Sequence, residues 1–591
     1  MKRKNLTKRL VSSALCTAML ASLVTGCGSK ETGAQSGGTE SGSGDGDVTT
    51  IDVYDQGANF QGIQSGWYAK LVKDKFNLEL NIISPIVSGG GDSLYETRSA
   101  AGDLGDLIFV SANDNRAQDL VDAGLVMDMT PYMEGEENLS TYQSAIDAAN
   151  KNCVTQEGTY LIPSEVTVQS GTTPCESGGE MNTGVYLRWD LYKELGYPQM
   201  STMEDMLGVL KDMQDMCTES DSGQKVYAFS FFKDWDDVYM TAAMQGFSYY
   251  GYGMENYCLF QPDGSEYVDA ISDDSPYIRT LKMFYEANQM GLIDPESTTQ
   301  DYDTLYTKYQ DGAVLYSPWA WQGKNAYNTT EHTSQGKAME FVPVDDNVIY
   351  SYGCYPEGNA NQNCVMIGKN AKDPQKLMDF IDWMYSPEGI EASMYGAGPK
   401  GLTWDLDESG NPVLTDYGKE ALLGDPTEAM VDDVEGDWGT GSYKDGQNWL
   451  NYKAVAPTEI DPSTGYAYDY SMWNSVQQER STDIEKDWQA KLGFNTTKEY
   501  LVDADKIAVA PGISAIAPTD SSDIAAIRSQ CKSIIVEKSW QMIYAQSEDE
   551  FNSILKDMQD SVKGLGYDEI YQVDLANAQA KQVDRDAMAA K

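Results

Sequence analysis

Between Ile51 and Val110 the chain alternates between two hydrophobic periods. Ile51 to Tyr54 alternates as a strand does, Gln64 to Phe76 carries Trp67, Leu71 and Phe76 near one helical face, and Leu78 to Ile83 is a second strand. Gly89-Gly90-Gly91-Asp92 opens a further helix reaching to about Ala101, and Leu107 to Val110 is a short apolar strand directly after Asp106. Strand, helix, strand, helix, strand at this spacing predicts βαβ units and a largely parallel sheet. Ligands of such sheets sit at the carboxyl ends of the strands. The loops after Tyr54, Ile83 and Val110 are therefore the first places to seek a site.

The remainder reads as helix-rich with interspersed strands. Ser201 and Glu204 have the spacing of a capping box before Met206, Leu207, Leu210 and Met213. Asp373-Pro374 starts a helix with Leu377, Phe380, Ile381 and Met384 on one face, stopped by Pro387. Phe551, Leu555, Met558 and Val562 form another stripe, ended by Gly564. Such methionine-bearing stripes predict core. There is no internal repeat and no coiled-coil pattern.

The chain has 591 residues, a formal charge of -50 and a single histidine, His332. Length alone predicts about four domains at ~150 residues each. That much acidity repels phosphate, so nucleic acid is not an expected partner. One histidine removes most His-based catalysis and every multi-His metal site. The 38 Tyr and 12 Trp against 13 Phe favour rings with a polar handle, which suit wet, polar ligands as well as cores.

The amino terminus is an address. Lys2, Arg3, Lys4, Lys8 and Arg9 precede an apolar run from Leu10 to Val24 that is short for a membrane span, which reads as a signal peptide. The run ends in Leu23-Val24-Thr25-Gly26-Cys27, which resembles a bacterial lipobox. That resemblance implies cleavage after Gly26 and a diacylglycerol thioether on Cys27, with acyl chains such as palmitate. Two chains suffice for stable anchoring. An ordinary secretory signal and an uncleaved anchor are the alternatives. Residues 28–47 contain seven Gly and four Ser, a flexible linker with a reach of roughly 25 Å. The expected division is a signal peptide over 1–26, the lipidated cysteine and linker over 27–47, and an extracytoplasmic body beyond.

That body carries Cys153, Cys175, Cys217, Cys258, Cys354, Cys364 and Cys531. An odd count leaves at least one thiol free unless it pairs between chains. Cys354 with Cys364, or Cys153 with Cys175, could close short loops. Cys531 falls on an apolar helical face with Ile524, Ile527, Ile534 and Ile535 and reads as core. Zinc-like spacing is absent.

Several passages resemble the family 1 extracellular solute-binding lipoproteins of ABC transporters, in particular a large Firmicutes-type branch. They are Thr97 to Leu107 (TRSAAGDLGDL), Tyr186 to Pro198 (YLRWDLYKELGYP), Gly312-Ala313-Val314 followed by Ser317-Pro318-Trp319-Ala320-Trp321, and Asp382 to Gly389 (DWMYSPEG). The second is the most specific. The resemblance implies an α/β, two-lobed, periplasmic-binding-protein-like clamp of type II, with discontinuous lobes joined at hinge crossings near Pro163 and Pro343. The first lobe is expected over 48–163 and about 344–400, the second over about 164–343 and 401–591. The implied function is capture of a carbohydrate, an oligosaccharide above all, and its delivery to an ABC permease, by a monomer without a cofactor. The competing class is a lipid-anchored hydrolase using a carboxylate pair.

Candidate ligand contacts follow. Trp319 and Trp321 are two apart beside Pro318, so strand alternation would point both rings to one side; the resemblance places them in a sugar cleft, with core packing as the alternative. Asp55 and Asp92 follow strand ends and could accept sugar hydroxyls. Trp67, Asp234, Trp235, Tyr352 and Trp438 are further candidates, while Trp189 and Asp190 read as helix packing. Asp405, Asp407, Ser409 and Asp416 have the spacing of a calcium loop. The same stretch reads as a hairpin about Gly410-Asn411, and Pro412 is awkward in a calcium loop. The segment Thr218 to Gln224 falls where some alginate-binding relatives carry calcium, and it lacks the oxygen pattern.

Overall fold

The structure, a computed structural model, describes residues 48–591 apart from 89, 90, 114, 177, 178, 481, 516 and 591. The signal peptide, Cys27 and the linker lie outside the described residues. Among the described residues no helix is long and apolar enough to cross a membrane.

The βαβ reading forms a six-stranded sheet. Strand Thr49–Asp55 lies between Leu78–Ile83 and Leu107–Val110, parallel to both. Cys364–Ile367 adds antiparallel to Leu107–Val110 and pairs in turn with Ile162–Pro163. Leu107, Ile108, Phe109 and Val110 are all buried, because both sheet faces are covered and an unbroken apolar strand is needed there. Helix Gly66–Phe76 ends at Asn77, whose left-handed backbone (φ 53°) turns the chain straight into the next strand. Helix Pro374–Met384 starts at Asp373, whose side chain accepts the Lys376 N–H, and buries Leu377, Phe380, Ile381 and Met384. Pro387 both ends that run and starts the short helix Pro387–Glu391.

A second, three-stranded antiparallel sheet has Thr183–Arg188 between Tyr316–Trp319 and Met339–Phe341. Its core takes in helices Asp205–Met216 and Pro276–Gln289 and part of the carboxyl-terminal helices Ser522–Ile543 and Glu548–Leu565, with Cys531, Ile535, Met558 and Val562 buried. Trp189 is fully buried in it, its indole N–H donated to Asp487. Two local expectations fail here. Glu204 does not close a capping box, because Arg279 takes both its carboxylate oxygens and Asp205 instead accepts the Ser201 and Thr202 N–H groups. The stripe through Val562 runs on to Leu565 and ends at Gly566 (φ 105°), not at Gly564.

The packing also departs from the expected boundary at 400. Leu402, Ala421, Val431, Tyr443, Leu450, Tyr452 and Tyr468 belong to the core of the first sheet. From Ile484 to Ile570 the chain packs with the second. Trp67 explains part of this: its ring stacks on Tyr443 at 5.4 Å and its N–H bonds to the Tyr443 carbonyl at 3.0 Å. The chain therefore passes between the two cores three times, between Val166 and Met181, between Ile349 and Ala360, and between Tyr468 and Ile484.

Candidate functional site

A cavity of about 790 Å³ lies where these passages meet. Glu165, Cys175, Glu176, Tyr352 and Tyr355 line its floor, Glu180, Asn182, Trp321 and Asn325 one wall, and Asn113, Asn361, Gln362 and Lys453 the other. A second cavity of about 350 Å³ adjoins it through Glu165, Gln362 and Lys453 and is lined by Gln56, Gly57, Ile86, Ser111, Asn363 and Asn451. The loops following Asp55, Ile83 and Val110 thus all reach this pair of cavities.

The wall of the second sheet is aromatic. Trp319 ends a strand, and the following wide turn Ala320–Lys324 carries Trp321 back beside it. Their rings stack at 5.1 Å and 20°. Trp235 lies 5.9 Å from Trp321 and stacks on Tyr302 at 4.4 Å. Asp234 accepts the Tyr302 N–H at 2.9 Å and so fixes that ring at the start of its helix. Trp319 is the buried member, 9% exposed, with its N–H donated to Gln245, whereas Trp235 is 44% exposed. Flat faces of this kind match the C–H faces of a sugar ring.

The opposite wall is made of amides. Gln56 is held by Arg116 at 2.8 Å, and Asn451 donates to the Gly57 carbonyl at 2.8 Å. The Asn361 and Asn363 side-chain carbonyls are buried without a hydrogen-bond partner among the described residues. Orphaned acceptors in a cavity wall favour a ligand that brings donors.

Among the charged groups on the larger cavity, Glu165, Glu176 and Glu180 face the single base Lys453. Glu165 accepts from Asn359 at 2.7 Å and holds a left-handed backbone (φ 53°) as its N–H reaches the Lys453 carbonyl. Burial raises the Glu176 carboxyl above its ordinary range, opposed by bonds from Ser351 and the Asn182 N–H. Glu180 pairs with Lys324 at 2.9 Å, and Lys324 also pairs with buried Glu340 at 2.7 Å. Lys324 therefore stays charged and is spent on its own wall.

Asp55 is fully buried; its oxygens accept the Gly57 and Asn451 N–H groups, and burial pushes it up to about 6. It shapes the loop whose next residues line the smaller cavity. Trp67 is core, 2% exposed. Trp438 packs at the edge of the same core, its N–H bonded to the Glu435 carbonyl. Asp92 sits on helix Gly91–Ala101, and its side chain is outside the described set. Tyr352 is 58% exposed and lines the main cavity. Tyr302, Asn113, Asn361 and Gln362 were not singled out from sequence; nothing in their local pattern marks them.

Asp405, Asp407 and Ser409 lie in a hairpin, Trp404–Leu406 pairing with Pro412–Leu414, and Asp416 opens the next helix. Asp407 accepts the Ser409 and Asn411 N–H groups at 2.8 Å, which is how an aspartate closes a turn. Asp221, in the other segment considered for calcium, is engaged by His332 and Lys337. No cluster among the described residues has the ligands of a metal ion. The described cysteines are free, and their neighbours cross the expected pairing: Cys175 lies near Cys354, and Cys364 near Cys153.

Two α/β cores joined by repeated crossings, with a cavity at the crossings, define a two-lobed clamp-type binding protein. The sequence matches the bacterial extracellular solute-binding proteins over residues 57–391, more than half the chain, and the protein belongs to that family. No relative matches among curated proteins. Similar solved structures include a Streptococcus pneumoniae ABC-transporter substrate-binding protein in complex with fructo-nystose, at 14% identity and TM-score 0.55, covering 92% of this chain and 100% of that one. An HMO-binding solute-binding protein from Bifidobacterium longum infantis has 14% identity and TM-score 0.56, covering 90% and 98%. An alginate-binding protein solved without calcium has the same four values. At this identity the likeness establishes the shared type II periplasmic-binding-protein-like fold.

Proposed function

We propose that this protein captures an oligosaccharide in the cleft and delivers it to an ABC permease. The observation that carries the reading is Trp321, backed by the rings of Trp319 and Trp235, on a 790 Å³ cavity that Asn113, Asn361 and Gln362 also line. Rings take the apolar sugar face and amides take the hydroxyls. The volume, continued into a second cavity, suits several linked sugars. The three acids against one lysine on the cavity disfavour a polyanionic glycan. Fructo-nystose, named for one of the similar structures, agrees with a neutral oligosaccharide, whereas the alginate of another is a polyanion.

In this reading the first lobe comprises residues 48–163 and 364–468, and the second 183–341 and 484–570. The lobes close on the ligand, and the closed form is what the permease engages. The protein works as a monomer, held outside the cell by the lipidated Cys27. Cys27→Ala is expected to release it to the medium or to leave the precursor unprocessed; normal processing with membrane retention would overturn the anchor.

A thermal-shift screen over neutral and acidic oligosaccharides tests the function. A ligand at 100 times its dissociation constant stabilises by about 2.7 kcal/mol. Stabilisation by neutral glycans without release of product supports capture. Released sugar would establish hydrolysis instead, and the absence of any shift would overturn the carbohydrate reading.

A further inference from the structure

The floor of the cleft is a junction of main chains. Pro174 pairs antiparallel with Gly353, the Cys175 N–H bonds to the Tyr352 carbonyl at 3.0 Å, and the Cys354 N–H bonds to the Thr173 carbonyl at 2.9 Å. The Gly353 N–H continues to Ala510, and the Gly512 N–H to Gly171. The contact is too close for side chains: a Cβ on Gly353 would stand 1.8 Å from the Gly171 carbonyl oxygen, and one on Gly512 2.1 Å from that of Cys354.

In an antiparallel pair, alternate residues share a face. With Pro174 opposite Gly353, Cys175 and Cys354 stand together on the other face, diagonal to each other. Their thiols are neighbours close enough to perturb each other's ionisation, and the Cys354 sulfur lies 3.2 Å from the Thr458 hydroxyl. One cysteine belongs to the first crossing and the other to the second. Cys175 lines the main cavity, so a small reagent entering the cleft can reach it, whereas Cys354 is fully buried behind it. No step of sugar binding requires two thiols here.

We infer that Cys175 and Cys354 form a reversible disulfide that ties the first two crossings together beneath the cleft. The chain between them contains the whole second sheet, so the bond would close the sheet-bearing segment of that lobe into a covalent loop at its root. A long loop is where a cross-link constrains the unfolded chain most. The oxidant is a small disulfide of the glutathione type. The Cys175 sulfur, as thiolate, attacks one sulfur of that disulfide; its S–S bond breaks and one thiol leaves. The Cys354 thiolate then attacks the Cys175 sulfur of the mixed disulfide and expels the second thiol. The two cysteines lose two protons and two electrons, and the reagent becomes two thiols. An extracytoplasmic location allows such a bond to persist. The inference concerns the fold's own residues and stands whether or not the ligand is a sugar.

The test is incubation of the folded wild-type protein with oxidised glutathione, followed by peptide mapping without reduction and by melting curves. A linked Cys175–Cys354 peptide, a melting temperature raised by several degrees, and reversal of both by dithiothreitol are expected. Cys175→Ser and Cys354→Ser should each abolish the linkage and the shift. The readout on wild type stands even if a variant fails to fold. A glutathione adduct persisting on Cys175 with Cys354 still open to alkylation after unfolding, a linkage confined to other cysteines, or no reaction would each overturn the inference.

Discussion

Two aromatic stacks in this molecule use the same chemistry to opposite ends. Around Trp67, a ring 2% exposed stacks on Tyr443 and gives its N–H to the chain beneath. Around Trp321, rings stack as closely but leave a face on a cavity, with Trp235 44% exposed. The first joins residues 402–468 to a helix near the amino terminus of the body. The second packs against its own lobe and keeps surface in reserve. Ring stacking is not itself a mark of a ligand site; what distinguishes the two is whether the outer face is covered.

That distinction predicts where each truncation is felt. Trp67→Ala should be the most damaging, costing about 3–5 kcal/mol of stability by the loss of a fully packed indole, with unchanged affinity in the molecules that remain folded. Chemical denaturation alongside a ligand titration reads both. Trp319→Ala tests the boundary case. It should cost about 2–4 kcal/mol of stability because the ring is nearly buried, and it should weaken binding several-fold because it backs Trp321. A loss confined to affinity would place Trp319 with the open stack.

Asp55 extends the comparison to charge, since it borders the smaller cavity but is built as core. Its folded pKa, pushed up to about 6, lies above the ordinary value of 3.8. The folded state then holds more protons than the unfolded between those values, so this group's contribution falls as pH rises from about 4 to 6. The full swing is about 2–3 kcal/mol at 1.36 kcal/mol per unit. Melts of wild type and Asp55→Asn against pH should diverge across that window, the variant gaining relative to wild type toward pH 7. Parallel curves would show that Asp55 titrates normally. The smallest effect is expected at the hairpin: millimolar calcium should leave the melting temperature unchanged, because Asp407 already spends its oxygens on the turn.

The first sheet was legible because each of its elements carries its own period. Leu78–Ile83 and Leu107–Val110 form where their patterns put them. The segment 402–468 was not, because its elements are short and its anchors are single contacts such as Tyr443 to Trp67, which leave no period. Glu204 leaves the capping box for a related reason: its partner Arg279 lies 75 positions away. The pairing of Trp319 with Trp321 was expected from strand alternation, but Trp321 has left the strand, and a helical turn brings the rings together. The amide wall escaped notice because Asn and Gln in loops look alike until the fold gathers them.

The central claim is that the open stack around Trp321 is the sugar-binding surface. Calorimetric titration of wild type and Trp321→Ala with the best neutral oligosaccharide from the screen tests it most directly. A loss of about 2 kcal/mol is expected, the value of burying one large apolar side chain, or roughly thirtyfold in affinity. The ligand-free melting temperature should stay close to that of wild type. Unchanged affinity in Trp321→Ala, or collapse of its ligand-free fold, would show that Trp321 is not the sugar-binding surface.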